Sequence, residues 1–193
     1  MSDTTTVTSR TIDGVELPAV GNYVIDEAHT HVGFAVRHMA VSKVRGQFAK
    51  VNGTLVVGED PIASSVQVTI DTNSIDTRDE NRDNHVRTAD FLDVENHPTI
   101  TFASTAVHPV DAGSWKVDGD LTIRGTTRPV VLDVTIEGVV QDPYGNHRVG
   151  FSARTQINRD DFGVSFGAVM EAGGLVVAKK VDIEIEAEAV YQA

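Results

Sequence analysis

The chain reads as an all-β protein built of antiparallel sheet, with one short helix set among the strands. Three observations predict this. Apolar and polar residues alternate with a period of two through most of the chain. Clusters of Gly, Pro, Asn and Asp punctuate the alternating runs. From Thr77 to Phe91 the alternation stops and a dense charged island takes its place. Strict alternation means one buried and one wet face, the mark of antiparallel sheet.

The runs follow one another from Tyr23 onward. Val32, Phe34 and Val36 face one way while His31, Ala35 and Arg37 face the other. Val66, Val68 and Ile70 alternate with Gln67, Thr69 and Asp71, and Ile100 and Phe102 alternate with Thr99, Thr101 and Ala103. Val117, Leu121 and Ile123 form the next inward set, followed by Val130, Leu132, Val134 and Ile136. Val149, Phe151, Ala153 and Ile157 come next, and Val181, Ile183, Ile185, Ala187 and Ala189 close the series. Turns are expected at Asn52-Gly53, Asp60-Pro61, Asp111 to Gly113, Arg124-Gly125, Asp142-Pro143 with Gly145-Asn146, and Gly173-Gly174. The stripe Asp182, Glu184, Glu186 and Glu188 reads as the solvated face of a strand whose charges oppose edge pairing.

Strand pattern alone leaves two all-β forms open. Only 6% of residues are aromatic, and the inward positions are mostly Val, Ile, Ala or Gly. Such side chains leave room inside a barrel of about eight strands for a small ligand. A filled sandwich core fits the same pattern.

The island predicts a helix over about 78–89. Thr77 followed by Glu80 forms a capping box. Asp79 falls in the first turn, where negative charge suits the dipole, and Asp83 and Arg87 stand as an i, i+4 pair. One face carries Arg82, His85, Val86 and Ala89, too polar for an ordinary core stripe. The helix is therefore expected to lie over the sheet as a lid, with Phe91 and Leu92 anchoring its exit.

Composition narrows the function classes. The formal net charge of -12 repels phosphate backbones and argues against a nucleic-acid partner. Without cysteine there are no disulfides, thiolate metal sites or thiol nucleophiles. Residues 1–20, rich in Ser, Thr and Asp, are expected as a flexible polar arm, and 21–193 as the folded domain. The arm does not look like a secretory signal, and no apolar stretch reaches the length of a membrane span. The plain expectation is a soluble cytoplasmic protein.

Three clusters carry chemistry-bearing residues. Arg82, Asp83 and His85 read either as a headgroup or metal site or as a network that locks the helix in place. His29 and His31 share a face of a strand, the start of many metal sites, with His38, His85 or Glu27 as third-ligand candidates. Asn158 to Gly163 reads as an Asx turn braced by Arg159 pairing with Asp160 or a nearby carboxylate, with contact at a pocket mouth as the alternative. Neither a nucleophile elbow nor a phosphate-cradling loop is visible, so hydrolase chemistry is a weak reading.

Several separated motifs then resemble one family. They are Tyr23-Val-Ile-Asp26 with His29-Thr-His31, Phe34 to His38, Arg45-Gly46-x-Phe48, and Arg82-Asp-x-His85 leading to Ala89-Asp-Phe91. Pro98 to Phe102, Gly119 to Gly125 and Ile157 to Gly163 complete the set. Together and in order they resemble the YceI-like family, lipocalin-like barrels associated with polyisoprenoid binding, over Tyr23 to Val190.

The resemblance implies an extended antiparallel lipocalin-like β-barrel with a helix near its opening. It further implies a non-enzymatic protein that binds, stores or transports an isoprenoid or similar amphiphilic lipid, such as a polyprenyl phosphate or isoprenoid quinone, with no other cofactor and no metal. Candidate channel-lining residues are then Phe34, Val36, Phe48, Val68, Ile70, Phe102, Leu121, Leu132, Phe151, Phe162 and Phe166. Candidate headgroup or lid residues are His31, His38, Arg82, Asp83, His85 and Arg159. Leu92 stands where a second Phe is common and Phe166 where Trp is expected, changes that alter channel width. Many relatives are exported, and this chain shows no export signal. The resemblance also admits a homodimer. The rival expectations are a His-dependent metal- or quinone-handling enzyme using His29, His31 and His85, and a stress-related barrel without a specific ligand.

Overall fold

The alternating runs pair into one antiparallel sheet that closes on itself. The computed structural model describes residues 9–39, 41–167 and 176–193. The expected Gly173-Gly174 turn and the first eight residues of the arm lie outside them. In chain order the strands are β1 (Ser9–Ile12), β2 (Val15–Pro18), β3 (Gly21–Ile25), β4 (His31–His38), β5 (Ser42–Phe48), β6 (Val51–Val57), β7 (Ser65–Asp71) and β8 (Ile75–Asp76). After the helix α1 (Glu80–Arg87) come β9 (Thr99–Asp111), β10 (Ser114–Ile123), β11 (Thr126–Gln141), β12 (His147–Asn158) and β13 (Val177–Gln192). Around the ring the order is β12, β11, β10, β9, β7, β6, β3 and β13, and β13 pairs back onto β12. The result is a closed barrel of eight strands rather than a sandwich.

β3 and β4 pair with the same side of β13, with Ile25 opposite Ala189 and Val32 opposite Ile185. A short 3₁₀ turn separates them. Its cap is Asp26, whose carboxylate accepts from the Ala28 N–H at 3.1 Å. β4 carries β5 as a hairpin partner, and β5 pairs with β8.

Closure leaves β13 paired on both sides, so its acidic stripe does not guard an edge. Asp182 instead accepts from Lys43 and from Gln156, both at 2.7 Å, across the outer face. The Lys43 ammonium, then Gln156, hold the Asp182 carboxyl below the usual range. Asn52-Gly53 lies inside β6 rather than in a turn. A β-carbon on Gly53 would lie 2.8 Å from the Gln67 carbonyl oxygen, so the glycine permits a close approach of two strands.

The period-two reading holds on most strands, and one irregularity resets it. Asp118 stands opposite Ala106 while Gly119 stands opposite Ser104. The extra residue, Thr105, is a bulge, so Phe102 and Val107 both turn inward despite their opposite parity.

The expected polar arm contains ordered structure over 9–18. β1 and β2 form a hairpin outside the barrel sheet, turned by Asp13-Gly14 with φ of 50° and 81°. Positive φ at both turn residues is the type I′ geometry that Asp-Gly favours. Leu17 is buried, and the Arg10 guanidinium clips the hairpin to the Gly58 and Glu59 carbonyls at 2.5 Å each.

Helix α1 starts on a different cap from the one expected. Asp79 is the N-cap, accepting from the Arg82 N–H at 3.0 Å. Thr77 is drawn away from the capping role because it is buried beside Asp83. The surface pair of Asp83 with Arg87 does not form. Asp83 is buried, and Arg87 donates to the Asn73 and Ile75 carbonyls. Phe91 and Leu92 are buried at the helix exit, where they anchor α1 to the barrel core.

Candidate functional site

The inward rows do not meet in the middle. They enclose a cavity of about 610 Å³, within the range of about 300–1,000 Å³ usual for small-molecule sites. Its wall is aliphatic and aromatic. Two glycines help to keep it open. A β-carbon on Gly119 would overlap the Phe102 ring, and one on Gly46 would overlap the Phe34 ring. Each ring thus lies against the wall in space that another residue would occupy.

All the expected channel-lining residues, from Phe34 to Phe166, border this cavity. Of the expected headgroup or lid residues, His38, Arg82, His85 and Arg159 border it as well. His31 does not. It sits on the outward parity of β4 and is exposed. Asp83 also stays out of the lining, because its carboxylate is turned to Thr77.

The mouth is the end covered by α1. His85 packs edge-on against Phe91 at 5.1 Å and Phe166 at 5.2 Å between ring centroids, and its Nε2 lies 2.9 Å from Asp90. Phe91 and Phe166 are themselves 5.1 Å apart. These three rings form a hydrophobic gate with a polar outer rim. Arg82 donates from Nε and Nη2 to the Thr77 hydroxyl and carbonyl, each at 2.8 Å. Arg82, Thr77 and Asp83 therefore form one hydrogen-bonded network at the start of the helix, and His85 of the expected cluster is not part of it.

Arg159 is almost fully buried and pairs with no carboxylate among the described residues. It donates to the carbonyls of Val164 at 2.6 Å, Ala178 at 3.0 Å and Val177 at 3.2 Å. Burial pushes its pKa down, and the nearby Asp160 charge opposes this. Asp160 pairs instead with Lys179 at 2.7 Å. The Asx turn itself forms, with Asn158 accepting from the Asp160 N–H. Arg124, expected only as a turn residue, donates to the Phe91 and Gly163 carbonyls and so ties the lid exit to that turn.

The other end of the barrel is a floor. The hairpin supplies Arg10, Leu17 and Pro18, the connection from β6 to β7 supplies Pro61 and Ser64, and β10 supplies Trp115. Trp115 opens β10 at this end, whereas Ile123 and Arg124 close it at the mouth. Tyr23 lies fully buried near this end, donating to the Ala19 carbonyl at 2.8 Å. Burial, then the neighbouring Tyr191, pushes its pKa up to about 12, with Arg10 acting against them. The Asp13-Gly14 pair was the one sequence signal for this floor.

The histidines do not assemble a metal site of the expected composition. Asp26, His29 and Glu188 approach within 4.8 Å of one another, but His31 and His85 are not among them. Arg148 already fills the space between the carboxylates, with Nη1 at 2.6 Å from Asp26 and 3.0 Å from Glu188. Its Nε donates to Asp142 at 2.8 Å. The Arg148 guanidinium holds the Asp26 and Asp142 carboxyls well below the usual range. This is a clasp joining the turn after β3, the turn before β12, and β13.

Known proteins share this architecture. A UPF0312 protein of Vibrio cholerae is 38% identical over 184 residues, covering 92% of this chain and 93% of that one. The crystal structure of Burkholderia cenocepacia BcnA superposes with a TM-score of 0.74 at 25% identity, over 85% of this chain and 98% of that one. A polyisoprenoid binding domain from Saccharophagus degradans, implicated in plant cell wall breakdown, shares the fold with a TM-score of 0.66 at 16% identity, over 88% and 98% of the two chains. The model of the YceI-like domain matches residues 23–189, nearly the whole barrel, and the chain belongs to the YceI-like family.

Proposed function

We propose that this protein binds and carries an isoprenoid or similar amphiphilic lipid, with the apolar chain held along the barrel axis. The observation that carries this reading is the cavity of about 610 Å³ inside the barrel, with its aliphatic and aromatic wall. Burying apolar groups contributes about 0.8 kcal/mol per CH₂, so one isoprene unit gives roughly 3–4 kcal/mol gross. A few units offset the ordering and desolvation costs of binding. The fold neighbour from Saccharophagus degradans, a polyisoprenoid binding domain, supports the same ligand class. Within that class, polyprenyl phosphates and isoprenoid quinones both offer a chain for the channel and a polar head. The placement of the polar side chains supports a binding role. Arg82, Asp83 and Arg159 spend their hydrogen bonds on Thr77 and on backbone carbonyls that hold the barrel end together.

Native mass spectrometry of the purified protein, with lipid extraction, tests the reading. A co-purifying prenyl compound, or saturable uptake of one added in vitro, is the expected result. A protein that carries no lipid and takes up no prenyl compound would overturn it.

A further inference from the structure

The two ends of the cavity treat their polar groups differently. At the mouth, Arg82, Arg159 and His85 each have partners within the fold. At the floor, Arg10 Nε and Trp115 Nε1 are buried and make no hydrogen bond, although both residues border the cavity. Thr30 Oγ1, in the bend before β4, is a third such atom on the lining. A buried donor left without a partner costs about 1–3 kcal/mol, and native structures rarely leave one so. Arg and Trp N–H groups donate only, so the missing partner is an acceptor.

Arg10 sharpens the chemistry. Its two Nη groups each donate once, to the Glu59 and Gly58 carbonyls, which holds the guanidinium at the floor and leaves Nε as its one nitrogen without a partner. No carboxylate among the described residues forms an ion pair with it, so its charge is free to favour a polarised or anionic oxygen. Arg10 also lies outside the span 23–189 matched by the family model. The N-terminal hairpin therefore adds a cation to the end of the cavity opposite α1.

We propose that the floor, not the mouth, receives the polar end of the ligand. After a small shift of the groups that cover Trp115 Nε1 and Arg10 Nε, a hydroxyl, carbonyl or carboxylate oxygen accepts from both N–H groups, and the prenyl chain runs back toward the three-ring gate. This rests on the reading of the cavity as an isoprenoid site and adds the direction in which the lipid lies.

Trp115 is the sole tryptophan, so its emission reports on the floor directly. The intact protein is titrated with geranylgeraniol, geranylgeranoic acid and the corresponding hydrocarbon without oxygen. The oxygenated compounds bind about tenfold tighter than the hydrocarbon, the worth of one well-placed hydrogen bond, and shift the Trp115 emission. Trp115→Phe keeps an aromatic ring, smaller than the indole, and removes the donor. It lowers affinity for geranylgeraniol by about tenfold more than it lowers affinity for the hydrocarbon, which loses only wall contact. Arg10→Gln selectively weakens the acid.

Equal affinity for alcohol and hydrocarbon in the unmodified protein would overturn the floor assignment, with an ordered water as the partner, and would leave the lipid site standing. Equal losses for both compounds in Trp115→Phe would do the same. Binding of none of the three would overturn both the floor assignment and the isoprenoid reading.

Discussion

Asp83 accepts two hydrogen bonds from Thr77, one from its backbone N–H at 2.8 Å and one from its hydroxyl at 2.6 Å. Both residues are buried, and Arg82 closes the triangle by donating from Nε to the same hydroxyl. The bonds join the chain before α1 to the first turns of the helix, so they set where the lid sits.

Asp83→Ala leaves two buried donors of Thr77 without an acceptor. A hydrogen bond to a charged group is worth about 1.5–3 kcal/mol, so the expected loss is about 3 kcal/mol in urea unfolding. For a chain of this size that lowers Tm by about 6–12 °C. Thr77→Val removes the hydroxyl but keeps the N–H bonded, and costs about 1–2 kcal/mol. An unchanged urea midpoint in Asp83→Ala would show that the triangle contributes nothing to the lid.

The Arg148 clasp makes stability depend on acid pH. The folded pKa values of Asp26 and Asp142 lie below the ordinary 3.8 because Arg148 donates to both. Their contribution is fully present above the unfolded value and is lost as pH falls through the lower folded values. Unfolding midpoints of the wild type therefore drop steeply below about pH 4. Arg148→Gln starts from a lower plateau and shows a shallower drop. Parallel curves for the two proteins would place the acid sensitivity elsewhere.

Gly46 and Phe34 form a coupled pair. A β-carbon at Gly46 would overlap the Phe34 ring and lie 2.9 Å from Thr77 Cγ2. Gly46→Ala is expected to cost about 1–3 kcal/mol by overpacking and to tip the ring toward the lumen. Phe34→Leu in the same protein returns part of that loss, giving a coupling energy of about 1 kcal/mol in a double-mutant cycle. Additive losses would mean that the ring does not depend on the glycine.

The three-ring gate predicts a kinetic effect. His85 packs against Phe91 and Phe166 at the mouth and reaches Asp90 outward. His85→Ala opens the gap between the two phenylalanines. Association and dissociation of a prenyl ligand then both quicken by about 3–10-fold while Kd moves little, a pattern distinct from the usual change in dissociation alone. Stopped-flow measurement separates the two. A pure rise in Kd would make His85 a ligand contact instead of a gate.

The strands were legible because burial on a strand repeats every second residue, whereas the choice of a barrel over a sandwich rested on the family resemblance. The inward sets of β4, β7, β10, β11 and β13 read correctly by parity alone. Parity fails at Thr105, where a bulge turns Val107 inward, and no local residue signal marks it. The helix was legible from its charge and capping residues. Its cap was not, because a buried contact with Asp83 takes Thr77 away from the helix end. The floor was the least legible part. The residue pair Asp13-Gly14 suits a hairpin turn, but the stretches beside it are too short and polar to read as strands, so the segment was expected as a flexible arm. That Arg10 and Trp115 meet the same cavity is a tertiary fact, set by barrel closure.

Blocking the lumen separates binding from folding. Val68 points inward from the middle of β7, opposite Phe102 on β9, and is partly buried against the core. Its side chain borders open cavity rather than packed neighbours on all sides. Val68→Trp therefore has space to enter, and the large ring replaces ligand volume instead of wall contacts. In a filled core the same change would cost about 1–3 kcal/mol through strain. Here the expected outcome is stability within about 1 kcal/mol of wild type, or a gain from the apolar area buried. Prenyl binding falls by more than about tenfold, because each CH₂ excluded from the channel forfeits about 0.8 kcal/mol. Urea unfolding and lipid titration of the same preparation read the two quantities. Undiminished lipid binding in a stably folded Val68→Trp protein would mean that the ligand does not occupy the barrel interior.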